Sequence, residues 1–265
     1  MNEFKVHMIA SGSKGNAAVV QAGRTCVLID AGISARRINS GLKKAGLHYA
    51  DISGVFVTHE HSDHVNGLPV FSKQSEINIY ANEKTWMAAS KLSTIENKFR
   101  RLLPEDGITI GDITVKPFRL SHDAASPVGF NLFAKGCKCS VATDLGCPTS
   151  EVKKALYGSD TIILEANHDL DMLDNGSYPW HLKRRVRSSR GHLSNTDAGF
   201  ILSEVMTARR TQIFLAHLSE ENNTPDIARK TVENILSDKG MLEAAEIYVA
   251  AQDGLVSSYK GGGVQ

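Results

Sequence analysis

A short apolar run, Gly54-Val55-Phe56-Val57, leads straight into Thr58-His59-Glu60-His61-Ser62-Asp63-His64. Strand-forming residues bounded by polar ones mark the run as a buried β-strand, and the polar heptad after it as the loop it delivers. That loop carries His59, His61, Asp63 and His64 in the pattern His-x-His-x-Asp-His. Imidazole and carboxylate are the donors that Zn²⁺, Mn²⁺ and Fe²⁺ take. Side chains so closely spaced cannot all aim at one ion from a strand or helix. On a tight loop they diverge toward two neighbouring ions, and ions paired about 3.5–4 Å apart are a device for hydrolysis. A polar surface loop that happens to be rich in histidine is the plainer alternative.

The same arrangement recurs along the chain. Asp30 follows Val27-Leu28-Ile29, Asp144 follows Val141-Ala142-Thr143, Glu165 follows Ile162-Ile163-Leu164, and His217 follows Phe214-Leu215-Ala216. Strand ends and the loops they feed are where a rigid scaffold presents reactive groups. The coincidence points to one shared site. Strands are predicted at 6–9, 18–21, 26–29, 54–57, 77–81, 113–118, 129–134, 140–143, 161–164, 213–216, 246–249 and 256–259. Helices are predicted at 34–45, 83–91, 150–156, 195–208 and 225–237, from their caps and apolar spacing. This alternation predicts an α/β protein, two mixed sheets packed face to face with helices outside, as one domain over residues 1–265.

Composition narrows the partners. Net charge is +1, so any preference for nucleic acid has to come from a local patch. The four cysteines, Cys26, Cys137, Cys139 and Cys147, form no Cys-x-x-Cys pair and suggest reduced thiols, not a disulfide framework. No apolar run approaches a membrane span, and the start Met1-Asn2-Glu3-Phe4-Lys5 lacks a secretory pattern. A cytoplasmic location and no membrane partner are expected. The Gly261-Gly262-Gly263 tail is expected to fray.

Two ions need more ligands than the loop supplies, and His122, Asp144 and His217 stand in suitable surroundings. In this order the residues resemble the motifs of the metallo-β-lactamase superfamily. Asp30 resembles its first motif, His59/His61/Asp63/His64 the second, and His122, Asp144 and His217 the third, fourth and fifth. The likeness is stronger to its nucleases and phosphodiesterases, such as ribonuclease Z and ribonuclease J, through Asp144 and through Ser121-His122-Asp123 followed by Pro127-Val128-Gly129. It extends to the YycJ/WalJ-type exonuclease subgroup through Ser11-Gly12-Ser13-Lys14-Gly15-Asn16, Leu164-Glu165-Ala166-Asn167-His168-Asp169 and Gly191-His192-Leu193-Ser194-Asn195.

The resemblance implies an αββα sandwich with the metals at one edge. It also implies that His59, His61 and His122 hold one divalent ion and Asp63, His64 and His217 the other, with Asp144 and a hydroxide bridging them. Asp30 then orients the loop or a ligand imidazole; a cap at the strand-to-helix turn is equally compatible. Asp63, Asp144 and His192 are the catalytic candidates. His192 is the expected proton donor, oriented by Glu165, and the start of the helix near Asn195 offers N–H groups to a phosphate. The implied activity is that of a DNA 5′→3′ exonuclease linked to DNA repair, with DNA-repair proteins as partners.

The substrate signals are local. Lys183, Arg184, Arg185, Arg187 and Arg190 lie just before His192, which suits a phosphate backbone or equally a solvated helix face. Ser13 and Asn16 sit in a glycine-rich loop that either binds phosphate or is a plain hairpin turn. Tyr178 and Trp180 either stack on a base or pack in the core; His168 and Asp169 are further pocket candidates. The span from Asp144 to His217 leaves no room for the inserted domain of ribonuclease J-like enzymes, and no long arm like that of ribonuclease Z is evident. DNA ends are therefore the leading substrate. A small-molecule or cyclic-phosphate phosphodiesterase, an RNA-processing nuclease and a non-hydrolytic metal-binding regulatory protein remain as alternatives.

Overall fold

The computed structural model describes residues 3–74, 76–102 and 107–261. Among them the strands are β1 (Glu3–Ala10), β2 (Ala17–Ala22), β3 (Thr25–Ile29), β4 (Ile52–Phe56), β5 (Ile79–Ala81), β6 (Phe99–Arg101), β7 (Ile108–Ile110), β8 (Ile113–Arg119), β9 (Val128–Ala134), β10 (Cys137–Ala142), β11 (Thr161–Glu165), β12 (Thr211–Ala216), β13 (Ala245–Val249) and β14 (Val256–Gly261). The helices are α1 (Ala35–Lys44), α2 (Ser62–Val65), α3 (Leu68–Phe71), α4 (Glu83–Ala88), α5 (Ser150–Leu156), α6 (Leu170–Asn175), α7 (Trp180–Val186), α8 (Asn195–Val205) and α9 (Pro225–Asp238).

The strands form two seven-stranded sheets, ordered β14-β1-β2-β3-β4-β5-β6 and β13-β12-β11-β10-β9-β8-β7. Both share one plan. Pairing is antiparallel from β14 through β3 and parallel from β3 through β6; likewise it is antiparallel from β7 through β10 and parallel from β10 through β13.

Successive strand residues face opposite sides, which sorts the apolar residues into three cores. Between the sheets, Val27, Ile29 and Phe56 meet Ile113, Phe130, Ile163 and Phe214. On the outer side of the first sheet, Leu28 and Val55 cover Ile38 and Leu42 of α1 and Leu68 and Phe71 of α3. Outside the second sheet, Ile162 and Leu164 pack on Val152 of α5, Ile201 of α8 and Val232 of α9. The result is the expected αββα sandwich.

Local signals placed α1 well. Ser34 accepts from Arg37 N as its N-cap, Ala45 closes it, and Gly46 at φ 75° turns the chain away. The helix expected over 83–91 differs: it stops at Ala88, and Ala89 (φ −87°, ψ 79°) bends the chain into a 3₁₀ segment. That bend tucks Leu92 and Ile95 against the first sheet. The helix expected over 195–208 ends at Val205, where Met206 is extended. Strands β6 and β7 and helices α2, α3, α6 and α7 carry too few residues for a periodic signal. Gly261 ends β14, whereas Gly262 and Gly263 lie outside the described residues. Among the described residues no helix is long and apolar enough to cross a membrane.

Candidate metal centre

The C-terminal ends of β3, β4, β10, β11 and β12 deliver Asp30, the His59–His64 loop, Asp144, Glu165 and His217. Asp30 (φ 58°), Asp144 (φ 62°) and His217 (φ 55°) all adopt the left-handed conformation, which non-glycine residues rarely take. Each turns the chain sharply just after its strand, at a cost of about 1–2 kcal/mol that the surroundings must hold in place.

Backbone contacts clamp the His-rich loop. Asn16 N donates to Asp63 O, Ala31 N to His64 O and Gly67 N to Ala31 O, each at 2.8 Å. Gly32 lets the two loops touch, since a Cβ there would stand 1.6 Å from Asp63 O. Asp30 reaches both the start of this loop and an imidazole within it. Its Oδ1 accepts from Thr58 N, and its Oδ2 accepts from Thr58 Oγ1 and His64 Nδ1, all at 2.8 Å. Because Thr58 Oγ1 donates to Asp30, it is left to accept from His59 Nδ1 at 3.0 Å. Thr58 was not singled out in the sequence; its only signal is its place between the strand and His59.

The other rings are held in the same sense. His122 Nδ1 donates to Gly191 O at 3.0 Å, and His217 Nδ1 donates to Glu165 Oε1 at 2.7 Å. A carbonyl or carboxylate partner fixes the proton on Nδ1 and leaves the Nε2 lone pair for a metal. Two clusters of donor atoms result, each with its atoms within 4.8 Å of one another: His59/His61/His122, and Asp63/His64/Asp144/His217. Asp144 stands between them, Oδ2 at 3.1 Å from His64 Nε2 and Oδ1 at 3.7 Å from His122 Nε2. His59 Nε2, Asp144 Oδ2 and His217 Nε2 are buried and make no hydrogen bond. Buried polar atoms without a partner are costly, and a divalent cation would satisfy these. The donors present therefore fit a divalent cation.

A third cluster joins Asp144 and His217 to Glu165 and His192. Glu165 is already saturated. Oε1 accepts from His192 Nδ1 (2.8 Å) and His217 Nδ1 (2.7 Å), and Oε2 accepts from Leu145 N and Leu193 N (3.0 Å each). It is an anchor for two imidazoles, with no lone pair left for a metal.

These groups open onto a pocket of about 220 Å³. His61, Asp63, His122, Asp144, His192 and His217 line it on one side, Ser13, Asn167 and Ser219 on another, and Tyr178, Leu182, Arg185 and Val186 from α7 and the turn before it. Asn167 donates from Nδ2 to His217 O and so also steadies that loop.

Residues 25–217 match the family described as a beta-lactamase superfamily domain, a span that takes in every residue from Asp30 to His217. The chain belongs to the metallo-β-lactamase superfamily. Within that superfamily it is 39% identical over 245 residues to exodeoxyribonuclease YycJ of Bacillus anthracis, covering 91% of this chain and 93% of that protein. It is 34% identical over 256 residues to exodeoxyribonuclease WalJ of Streptococcus pneumoniae, covering 94% and 95%. These relatives place it in the YycJ/WalJ subgroup. Among solved structures, the metallo-β-lactamase fold protein YhfI from Bacillus subtilis superposes with a TM-score of 0.75 at 17% identity, covering 97% of this chain and all of that one, which speaks for the fold alone. This metallo-β-lactamase superfamily member is a metal-dependent hydrolase.

Electrostatics in this superfamily site stem from burial and crowding. Burial and the charge of His64 hold the His59 pKa well below the usual imidazole range. Burial opposes the proton on His64 and His217 as well, but Asp144, with Asp30 for one and Glu165 for the other, holds both pKa values well above it. Burial would raise Glu165, yet the His192 charge and the two imidazole hydrogen bonds bring it down to about 2. His192 is raised, Glu165 outweighing burial.

Several expected substrate contacts of this superfamily hydrolase lie elsewhere. Of the basic residues, only Arg185 lines the pocket, its Nε held by Asp123 Oδ2 at 2.6 Å. Helix periodicity explains this: α7 turns Leu182, Arg185 and Val186 toward the pocket at i, i+3 and i+4. Lys183 and Arg187 reach back to Asp174, and Arg184 is exposed outside the lining. Ser13 lines the pocket, but Asn16 is buried outside the lining, its Oδ1 accepting from Gly12 N and its Nδ2 donating to Gly12 O. The start of α8 is closed by its own cap, with Asn195 N donating to His168 O and Asp197 N to Ser194 Oγ. Asp169 caps α6 and His168 is buried beside Ser194. Tyr178 lines the pocket, whereas Trp180 is outside it, 72% exposed.

Proposed function

We propose that this hydrolase is a dinuclear-metal phosphodiesterase that shortens DNA from its ends in the 5′→3′ direction. One observation carries the reading: His192 and Arg185 open onto the same pocket as both candidate metal clusters. The exodeoxyribonuclease names of the YycJ and WalJ relatives favour DNA, and the subgroup likeness favours the direction. His59, His61 and His122 would hold one ion, and Asp63, His64, His217 and Asp144 the other. Two Zn²⁺ or Mn²⁺ ions bound there supply the positive charge that activates water and offsets the phosphate oxygens.

The chain's own residues do the rest. His192 Nδ1 is committed to Glu165, so the proton it gives to the leaving alkoxide is the one on Nε2. The Glu165 carboxylate keeps that imidazole charged to higher pH than an isolated one. Asp123 fixes the Arg185 guanidinium at Nε, which leaves its terminal amino groups for a phosphate oxygen. A place in DNA repair, in the cytoplasm, goes with DNA ends as substrate.

The test is turnover by Zn²⁺- or Mn²⁺-loaded protein on 5′-labelled duplex DNA, single-stranded DNA, RNA and an activated phosphodiester. Early release of labelled mononucleotide from DNA, falling steeply with salt, is expected. Hydrolysis of the small diester alone would make it a small-molecule phosphodiesterase, and preference for RNA an RNA-processing nuclease. No hydrolysis of any substrate with either metal would defeat the enzymatic reading.

A further inference from the structure

The pocket's α7 wall has chemistry that metal binding does not explain. In a cavity otherwise lined by imidazole, carboxylate, amide and hydroxyl groups, Tyr178, Leu182 and Val186 present an aromatic ring and two aliphatic side chains. Beside them stands Arg185, aligned by Asp123. The wall is tied directly to the proposed proton donor: His192 N donates to Val186 O at 2.8 Å. Gly191 packs so tightly there that a Cβ would stand 2.2 Å from Arg185 O and Val186 O. At about 220 Å³ the pocket is smaller than the roughly 300–1,000 Å³ of ordinary small-ligand sites, too small to take in a base pair.

We propose that this wall is a subsite for a single unpaired terminal nucleotide, its base against Tyr178, Leu182 and Val186 and its phosphate toward Arg185. The inference rests on the nuclease reading above and adds what that reading lacks, a requirement that the end of the strand be unpaired. Base stacking on aromatic and apolar side chains is tolerant of sequence, so any terminal base is accepted. The tie between Val186 and His192 sets the distance from the captured base to the scissile bond. A duplex end is cut only after its last pair opens.

The experiment compares kcat and KM on single strands that end in a normal nucleotide or in an abasic residue, and on a duplex whose terminal pair is cross-linked. The wild type, the double variant Tyr178→Ala/Leu182→Ala and the conservative Tyr178→Phe are measured, with metal content by elemental analysis confirming that each is folded. The wild type and Tyr178→Phe are expected to show a KM about tenfold higher for the abasic end, with the cross-linked end at least about tenfold slower. The double alanine variant is expected to lose the distinction between normal and abasic ends. Equal KM on both single strands in the wild type, full discrimination by the double variant, or ready cutting of the cross-linked end overturns the subsite alone. Failure of the wild type to cut any nucleic acid while it hydrolyses an activated diester overturns the nuclease reading beneath it.

Discussion

His64 Nδ1 lies 2.8 Å from Asp30 Oδ2, and both side chains are sealed from solvent. The pair fixes which nitrogen of His64 faces the metal cluster. Asp30→Ala should therefore weaken divalent-metal binding about 10–100-fold, the usual effect of removing a carboxylate behind a ligand imidazole. Competition with a chromophoric chelator measures it. Unchanged affinity would remove Asp30 from any role in the site.

Glu165 serves two rings at once, so replacing it disturbs the His217 and His192 sides of the site together, whereas replacing His192 touches proton donation alone. His192→Ala should lower kcat about 10²–10⁴-fold with metal content unchanged. Glu165→Gln should lower kcat and move the alkaline limb of the kcat–pH profile to lower pH. An imidazolium donor fails as pH rises through its pKa, and the carboxylate is what raises that pKa. A profile of Glu165→Gln that coincides with the wild type would contradict the pairing.

Metal-free protein should show an unusual pH dependence. Burial opposes protonation of His64 and His217, but the neighbouring carboxylates hold both pKa values well above the ordinary 6.5. A raised folded-state pKa contributes stability that is full below about 6.5 and is lost as pH rises through the folded value. Glu165, at about 2, keeps its charge throughout this range; its contribution is lost only as pH falls toward that value. Chelator-treated protein should lose Tm as pH rises above about 6.5, through the raised values of His64 and His217. Metal binding should become stronger over the same range as protons leave the ligands. Scanning fluorimetry with and without chelator checks the sign, and a stripped-protein Tm that climbs with pH would refute it.

Two glycines contrast space with conformation. Gly32→Ala drives a Cβ to 1.6 Å from Asp63 O and should cost about 2–3 kcal/mol with loss of metal retention. Gly46 (φ 75°) has no atom within 4 Å of such a Cβ, so Gly46→Ala should cost only about 1 kcal/mol and leave metal binding intact. Urea midpoints and metal titrations on both variants distinguish the two cases.

What could be read along the chain was local. Short continuous apolar runs leading into Asp30, His59, Asp144, Glu165 and His217 announce buried strands that deliver polar groups, and Ser34 with Gly46 brackets α1. Short helices carry hardly two turns of periodic signal; α5 is legible through its Thr149 cap, whereas α7, of the same length, starts at Pro179 with no side-chain cap. The basic stretch divides for a related reason. Charge was legible, but which residues face the pocket depends on how α7 is docked, and only Arg185 among them does.

Donor types, their order and the strand ends that carry them are legible along the chain, because they depend on adjacent residues. Tertiary structure alone decided what the donors do. Asp30 reaches His64 and Thr58, Gly191 takes the proton of His122, and Glu165 is shared by His192 and His217. Each partner is remote in sequence and becomes a neighbour only when the two sheets pack. That packing removes water, so His59, His64, His122, His192 and His217 each find a proton acceptor within the protein, and their other nitrogens are left to the site.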